Sequence, residues 1–255
     1  MNGDQVVPLL HQAASRELGI EIIDGVWPVG EARTLEDLQT RFGVSRTVSR
    51  EIARQLETLG LVITRRRHGL VAQPLEAWNA LDTQLIDWRL HSARREDQLR
   101  SLTQLRLAVE PAAAEGAARS ASIHTRARLL PLAAEMRRTG EAGDLEEFMR
   151  HDIEFHRLIL TESGNELFAA MGELVAVVLQ GRTETGLMPA HPRPEAIDGH
   201  EAVAEAVFRG EPARAREAMQ ASLDEVRSAV ELCSLARRVP TPPFEWSSPS
   251  PVSGS

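Results

Sequence analysis

Between Gly43 and Val62 the chain reads GVSRTVSREIARQLETLGLV, and within it Val48, Ile52, Leu56 and Leu59 recur at helical spacing. One face of that predicted helix is apolar and belongs against a core. Ser45 stands where a side-chain oxygen caps the first turn, and Gly60 stands where a glycine commonly ends a helix. The opposite face carries Arg46, Ser49, Arg50 and Arg54, which leaves guanidinium groups facing solvent. Upstream, Leu35 to Phe42 predicts a short amphipathic helix, with Gly43 as the tight turn between the two. Downstream, Leu61 to Thr64 is a β-branched run, Arg65 to Gly69 (RRRHG) a basic turn, and Leu70 to Ala72 a returning strand. Helix, glycine turn, arginine-faced helix and basic hairpin in that order predict a winged helix-turn-helix, which points to double-stranded DNA.

The same pattern divides the rest of the chain. The first helix runs through Ile23 and ends at Asp24-Gly25, so residues 1–75 form one expected domain, closed by Pro74. Residues 76–94 are a connector: Trp78, Leu81, Leu85 and Trp88 at helix-like spacing predict a helix over Glu76 to Leu90 that docks on the second domain. Residues 95–236 are helical throughout, with breaks near Ser120, Gly140 to Gly143, Gly164, the Gly186 to Pro194 loop and Gly210 to Pro212. Strand-like alternation is absent there. The expected architecture is mainly α, the winged domain followed by an antiparallel bundle of six or seven helices. The tail, 237–255, is rich in Pro and Ser and is expected to be disordered.

Polar residues that fall on apolar stripes mark a second site. On the helix expected from Asp144 to Glu162, Phe148, Asp152, Phe155 and Ile159 share one face, which places Asp152 inside. Burying a carboxylate costs several kcal/mol unless it is compensated, so a partner is required. His156 lies one turn after Asp152, and His200 lies on another stripe with Ile197, Ala204 and Val207. One carboxylate and two imidazoles suit a divalent metal, zinc first and manganese or nickel as alternatives. A plain hydrogen-bonded Asp–His pair is the other reading of that spacing. Arg106 and Glu110, beside the stripe Leu102, Leu105, Val109, have the spacing of a surface ion pair. Arg182, at the end of an expected Asn165 to Thr183 helix, has the position of a cation favoured by a helix C-terminus.

Charge sharpens the division. The 255 residues carry a net charge of −8, which would repel DNA if evenly spread. Residues 1–75 hold equal numbers of arginines and acids, so the whole excess lies beyond them; Arg41 to Gly69 holds seven arginines against two glutamates. One cysteine, Cys233, excludes an internal disulfide or a cysteine-based zinc site. With no leader-like segment and no apolar run near 18 residues, a soluble, cytoplasmic protein without membrane contact is expected.

These residues resemble the GntR family of bacterial transcription regulators, in the FadR subgroup whose C-terminal helical domain is of the FCD type. The resemblance rests on IIDGVWPVG (22–30), GVSRTVSRE (43–51) and LETLGLV (56–62), then LRLAVEPAAAEGAA (105–118), DIEFH (152–156), SGN (163–165) and GHEAVAEAVFRGEPARAREAM (199–219). AWNALDTQLIDWRL (77–90) looks most like the branch that governs sugar-acid catabolism, regulators of the galactonate type among them. The resemblance implies DNA contacts from Arg46, Thr47 and Arg50 and from the wing tip at His68 and Gly69, to which the helix start adds Ser45 and the basic turn adds Arg65 and Arg66. It implies metal ligands at Asp152, His156 and His200, and a small organic acid held by Arg106, Arg182 and Ser222. Two positions depart from the family pattern. Arg33-Thr34-Leu35-Glu36 lacks the usual arginine of the first helix, with Arg33 as a candidate substitute, and Ser222 stands where a fourth, histidine ligand is usual.

The function so implied is a homodimeric regulator, a repressor by the family's commoner mode, released from an inverted-repeat operator by a sugar acid or similar ligand. Two other classes fit parts of the pattern. Two histidines and a carboxylate also describe the facial triad of iron oxygenases, although no general base or nucleophile accompanies them here. A DNA-binding protein whose second domain only dimerises would have no ligand at all.

Overall fold

A computed structural model describes residues 3–184 and 192–237. The expected tail beyond 237 and most of the Gly186 to Pro194 break lie outside the described residues. The N-terminal domain runs α1 (Gly3–Asp24), β1 (Ala32–Arg33), α2 (Leu35–Phe42), α3 (Arg46–Thr58), β2 (Val62–Arg65) and β3 (Gly69–Ala72). Thr34 and Asp37 close a reciprocal capping box at the start of α2, Thr34 Oγ1 accepting from the Asp37 amide at 3.1 Å and Asp37 Oδ2 from the Thr34 amide at 2.7 Å. Gly43 ends α2 in the left-handed conformation (φ 62°), and Ser45 Oγ then caps α3 by accepting from the Val48 amide at 3.3 Å. The wing strands pair antiparallel with Ile63 opposite Val71.

Two details differ from the sequence pattern. The sheet has a third strand, β1, at the other edge of β3; two residues are too short to show alternation. Ser49 is not on the solvent face of α3 but fully buried, with its hydroxyl donating to the Arg46 carbonyl at 3.0 Å. Its position three residues before Ile52 places it on the core side, and the half-buried Val48 sits at the edge. The core beneath them is Leu18, Ile22, Trp27, Leu38, Ile52, Leu56, Leu59, Leu61 and Leu70.

The connector is helical only in its second half. A single 3-10 turn (Leu75–Ala77) precedes α4 (Thr83–Leu90), because Asp82 caps that helix by accepting from the Gln84 and Leu85 amides, and Leu81 is left exposed. Leu85 and Trp88 on one side of α4 complete the N-terminal core; Ile86 and Leu90 pack with Leu99, Leu102, Leu174 and Val178 of the second domain. The helix thus docks on both domains. The Trp88 ring lies so close over Gly19 that any side chain there would overlap it.

The second domain has six long helices, α5 (Arg95–Ser120), α7 (Leu129–Ala142), α8 (Leu145–Thr161), α10 (Gly172–Glu184), α11 (Pro194–Arg209) and α12 (Pro212–Arg237). Two five-residue helices, α6 (Ile123–Ala127) and α9 (Glu166–Ala170), lie between them, so the expected Asn165 to Thr183 helix is broken at Met171. Of the expected breaks, Gly140 is inside α7, and Gly143, in the left-handed region, ends it. Helix α12 packs along α5 and α11, and α8 against α7 and α10. Ala113, Ala114, Ala117 and Ala118 give α5 a shallow buried face, and Phe155 and Ile159 of α8 fill the centre.

Gly60 is the residue on which the junction between α3, the wing and the connector turns. Its φ is 73°, and a Cβ would collide with the Ala77 carbonyl oxygen. Gly60→Ala therefore combines left-handed strain with a backbone clash, and its thermal midpoint should fall by the equivalent of at least about 2 kcal/mol. A midpoint within a degree of the parent would refute this account of the junction.

Candidate DNA interface and metal centre

Helix α3 presents Arg46, Thr47 and Arg50 to solvent from its first turns, while Ser45 spends its hydroxyl on the cap. Arg54, farther along, is held by Glu51 at 2.8 Å. Glu57 Oε1 accepts from the Thr64 amide at 2.7 Å, which pins the wing to α3 and encloses a cleft of about 330 Å³ lined by Arg50, Arg54, Glu57 and Thr64. Arg65, Arg66, Arg67 and His68 are all exposed at the wing tip, where Arg67 adopts a left-handed φ of 69°. Gly69, paired with Arg65 where the wing turn closes, has a structural task, since a Cβ there would strike the Arg33 carbonyl.

Arg33 does not stand free to replace the missing arginine of α2. Its guanidinium bonds Glu21 at 2.7 Å and stacks 4.4 Å above Trp27. Arg41 bridges Glu17, at 2.5 Å, and Glu21. The pairing holds the Glu21 carboxyl below its usual range, through the hydrogen bond from Arg41 first and that from Arg33 next, against the effect of burial. Five arginines, Arg46, Arg50 and the three of the wing, are exposed and make no ion pair among the described residues.

The second site is buried. Asp152 and His156 of α8 meet His200 of α11, with 3.2 Å from Asp152 Oδ1 to each Nε2 and 3.4 Å between the two Nε2 atoms. His200 Nδ1 lies 2.6 Å from the Ala196 carbonyl; a carbonyl only accepts, so the proton is on Nδ1 and the Nε2 lone pair faces the cluster. His156 Nδ1 lies 2.6 Å from Glu110 Oε2, which directs its Nε2 the same way. Phe155 walls the group with its ring edge-on, 5.3 Å from that of His200.

Glu110 is the member of this site that helical spacing alone misplaces. It and Arg106 are buried, with Arg106 Nε 2.5 Å from Glu110 Oε1, and are not a surface pair. The inward stripe of α5 is Leu99, Leu102, Arg106, Glu110, Ala113 and Ala117, whereas Leu105 and Val109 are half-buried. The signal in the chain is the alanine pair: Ala113 and Ala117 continue the Arg106–Glu110 row at helical spacing. Together Arg106, Arg182, Ser222, Arg193 and the side chains of Asp152, His156 and His200 line a cavity of about 80 Å³, several times the space one water needs, whose other walls are Phe148, Leu179 and Leu223.

The electrostatics follow from burial and pairing. Burial alone would push Glu110 up, but Arg106 and then His156 outweigh it and bring its carboxyl to about 2. Burial likewise opposes Asp152, and its pairing with His156 first and His200 next holds it well below the usual range. Burial disfavours charge on His156, yet Glu110 and Asp152 prevail over it and over Arg106, raising the imidazole to about 9. The surroundings favour a cation at this point, and a proton on His156 is one that meets the demand.

The donor set and its spacing fit a divalent metal. Edges of 3.2, 3.2 and 3.4 Å are those of one face of a tetrahedron with bonds of about 2.0–2.1 Å to nitrogen and oxygen. Asp152 Oδ1 has no well-aligned hydrogen bond despite its burial, as suits an atom whose partner is an ion. Ser222, 8% exposed and packed against Gly199, brings a hydroxyl to the lining of the same cavity.

A winged helix-turn-helix carried on a helical domain with a buried polar centre and cavity defines a DNA-binding protein with a sensing domain. The chain belongs to the GntR family of bacterial regulatory proteins, whose model matches residues 10–71, and its second domain is an FCD domain, matched over residues 101–225. It is 27% identical over 192 residues to the galactonate operon transcriptional repressor of Escherichia coli K12, covering 74% of this chain and 83% of that one. It is also 27% identical over 215 residues to the uncharacterized regulator YieP of the same organism, covering 84% and 92%. In fold it resembles Lar, a Listeria monocytogenes protein that controls expression of the agr system (17% identity, TM-score 0.55, covering 87% and 96%). The protein is a transcription regulator of the GntR/FCD type and not an enzyme, which sets aside the oxygenase reading of the Asp/His/His cluster. Among the described residues no helix is long and apolar enough to cross a membrane.

The raised His156 sets a testable pH dependence. Without metal, the folded protein holds a proton up to about pH 9 that the unfolded chain releases near pH 6.5. Stability from this group is complete below 6.5 and is lost as pH rises through about 9, by up to about 3 kcal/mol. Thermal unfolding in EDTA across that window should show the decline, and His156→Gln should flatten it. A midpoint of the parent that rises with pH there would contradict the arrangement.

Proposed function

We propose that the protein is a homodimeric repressor that leaves an inverted-repeat operator when a small organic anion, a sugar acid in the leading case, binds beside a divalent metal held by Asp152, His156 and His200. The observation that carries this reading is the charge balance of the buried cluster. Arg106 and a protonated His156 balance Glu110 and Asp152; a divalent ion in place of the proton leaves one positive charge in excess. On the same cavity Arg193 is paired with Glu225 at 3.9 Å, so the surplus is that single charge, and a carboxylate is the ligand that restores balance. The metal, when bound, supplies a Lewis-acidic point for a carboxylate or hydroxyl oxygen, with zinc the best match to the donors and manganese or nickel as alternatives. Ser222 leaves that position open to the ligand. The similarity to the galactonate operon repressor supports the sugar-acid class.

Operator contact falls to Arg46, Thr47 and Arg50 on α3 and to Arg65, Arg66, Arg67 and His68 on the wing, a set supported by their exposure. The ligand acts by favouring one placement of the two reading domains over another. Helix α4 is suited to carry that difference because it shares both cores.

Thermal-shift measurement with sugar acids, in zinc and in EDTA, tests the reading. A sugar acid should raise the midpoint in zinc only, and should release a fluorescent DNA taken from upstream of the gene. His200→Ala should abolish both effects while leaving DNA binding intact; equal shifts in zinc and EDTA would remove the metal from the site. Arg50→Ala should weaken operator binding and lower the slope of log affinity against log salt by about 0.9 for one lost phosphate contact. An unaltered slope and affinity would take Arg50 out of the interface.

A further inference from the structure

A second group of metal-ligating side chains lies where the two domains join. Asp87 and His91 are one turn apart at the end of α4, and Glu184 ends α10; one donor atom from each lies within 4.8 Å of the others. We infer that Asp87, His91 and Glu184 form a second divalent-cation site, of the zinc class, that clasps the connector helix to the effector domain.

Each of the three side chains is held by one atom and offers another. His91 Nδ1 lies 2.9 Å from the Asp87 carbonyl oxygen, which places its proton there and leaves Nε2 free, 3.7 Å from Glu184 Oε2. Glu184 Oε1 accepts from Gln180 Nε2 at 2.7 Å, so Oε2 is the oxygen that faces His91. Asp87 Oδ2 is the oxygen toward Arg16 of α1, at 3.9 Å, and Oδ1 lies 3.2 Å from His91 Nδ1, so Asp87 reaches an ion held on Nε2 by a turn of its side-chain torsions. One imidazole and two carboxylates give the nitrogen and oxygen donors that zinc accepts, and they neutralise its charge. Side-chain exposures of 26%, 39% and 45% let the ion enter from solvent and let water complete its coordination.

The place gives the site its consequence. Helix α4 has Trp88 in the N-terminal core and Leu90 against Gly181 of α10, so an ion joining α4 to Glu184 stiffens the one element common to both domains. Its half-exposed ligands make it the weaker of the two sites and the one that follows free metal concentration. It is independent of whether the buried centre holds metal.

Zinc counting on the full chain decides it. Protein stripped with EDTA and dialysed against zinc, then assayed by elemental mass spectrometry, should hold one more ion per chain than His91→Ala or Glu184→Gln treated alike. In Asp152→Ala, zinc should still raise the unfolding midpoint, and adding His91→Ala should remove that rise. Should Asp152→Ala not fold, the surface variants alone decide the count. Equal counts in the parent and His91→Ala overturn the site. So does an equal loss of midpoint for His91→Ala in zinc and in EDTA, which would mean that the three side chains serve only as an ion-paired contact.

Discussion

Two carboxylates, Glu110 and Asp152, are buried at the centre of an apolar bundle, and the residues around them are placed to balance their charge. Removing a carboxylate from water costs several kcal/mol, far more than a surface ion pair returns. The cost is met by Arg106 and His156 on one side and by His156 and His200 on the other. Three helices, α5, α8 and α11, are thereby tied to a common point. The cluster balances with a proton on His156 and acquires a surplus positive charge with a divalent ion. A site whose charge state changes with its occupant, inside a fold held together by that charge, is a physical basis for sensing.

The DNA-reading end follows the opposite rule. There, arginines needed for a partner are left in solvent, and those needed for the fold are neutralised. Arg33 is absorbed by Glu21, and of the seven arginines from Arg41 to Gly69 Arg41 is held by Glu17 and Glu21 and Arg54 by Glu51, so the seven overstate the free charge of that face. The exposed, unpaired arginines of that face are on α3 and the wing, which Glu57 holds in fixed relation through the Thr64 amide. Helix α4 joins the two ends with a tryptophan in one core and two aliphatic side chains in the other, so a movement of either domain is felt by both.

Local sequence determined the elements whose signals are local: the capped recognition helix, the glycine turn at Gly43, the wing and the bundle breaks at Gly143, Gly164 and Gly210 each follow from a few adjacent residues. Periodicity along α8 also placed Asp152 and His156 inside, because apolar positions flank them on one face. Tertiary structure decided the rest. Glu110 lies 46 residues before His156, and no spacing along the chain relates them; only the packing of α5 on α8 does. β1 was set by its pairing with β3, and the ion pair of Arg33 with Glu21 by the approach of α1 to that strand. The sequence by itself determined most of the buried apolar side chains and where most helices begin and end, since these depend on hydrogen bonds and apolar faces within a turn or two. Which charge faces which was decided only by the fold, because Coulomb interactions between distant residues acquire their strength when helices bring them together away from water.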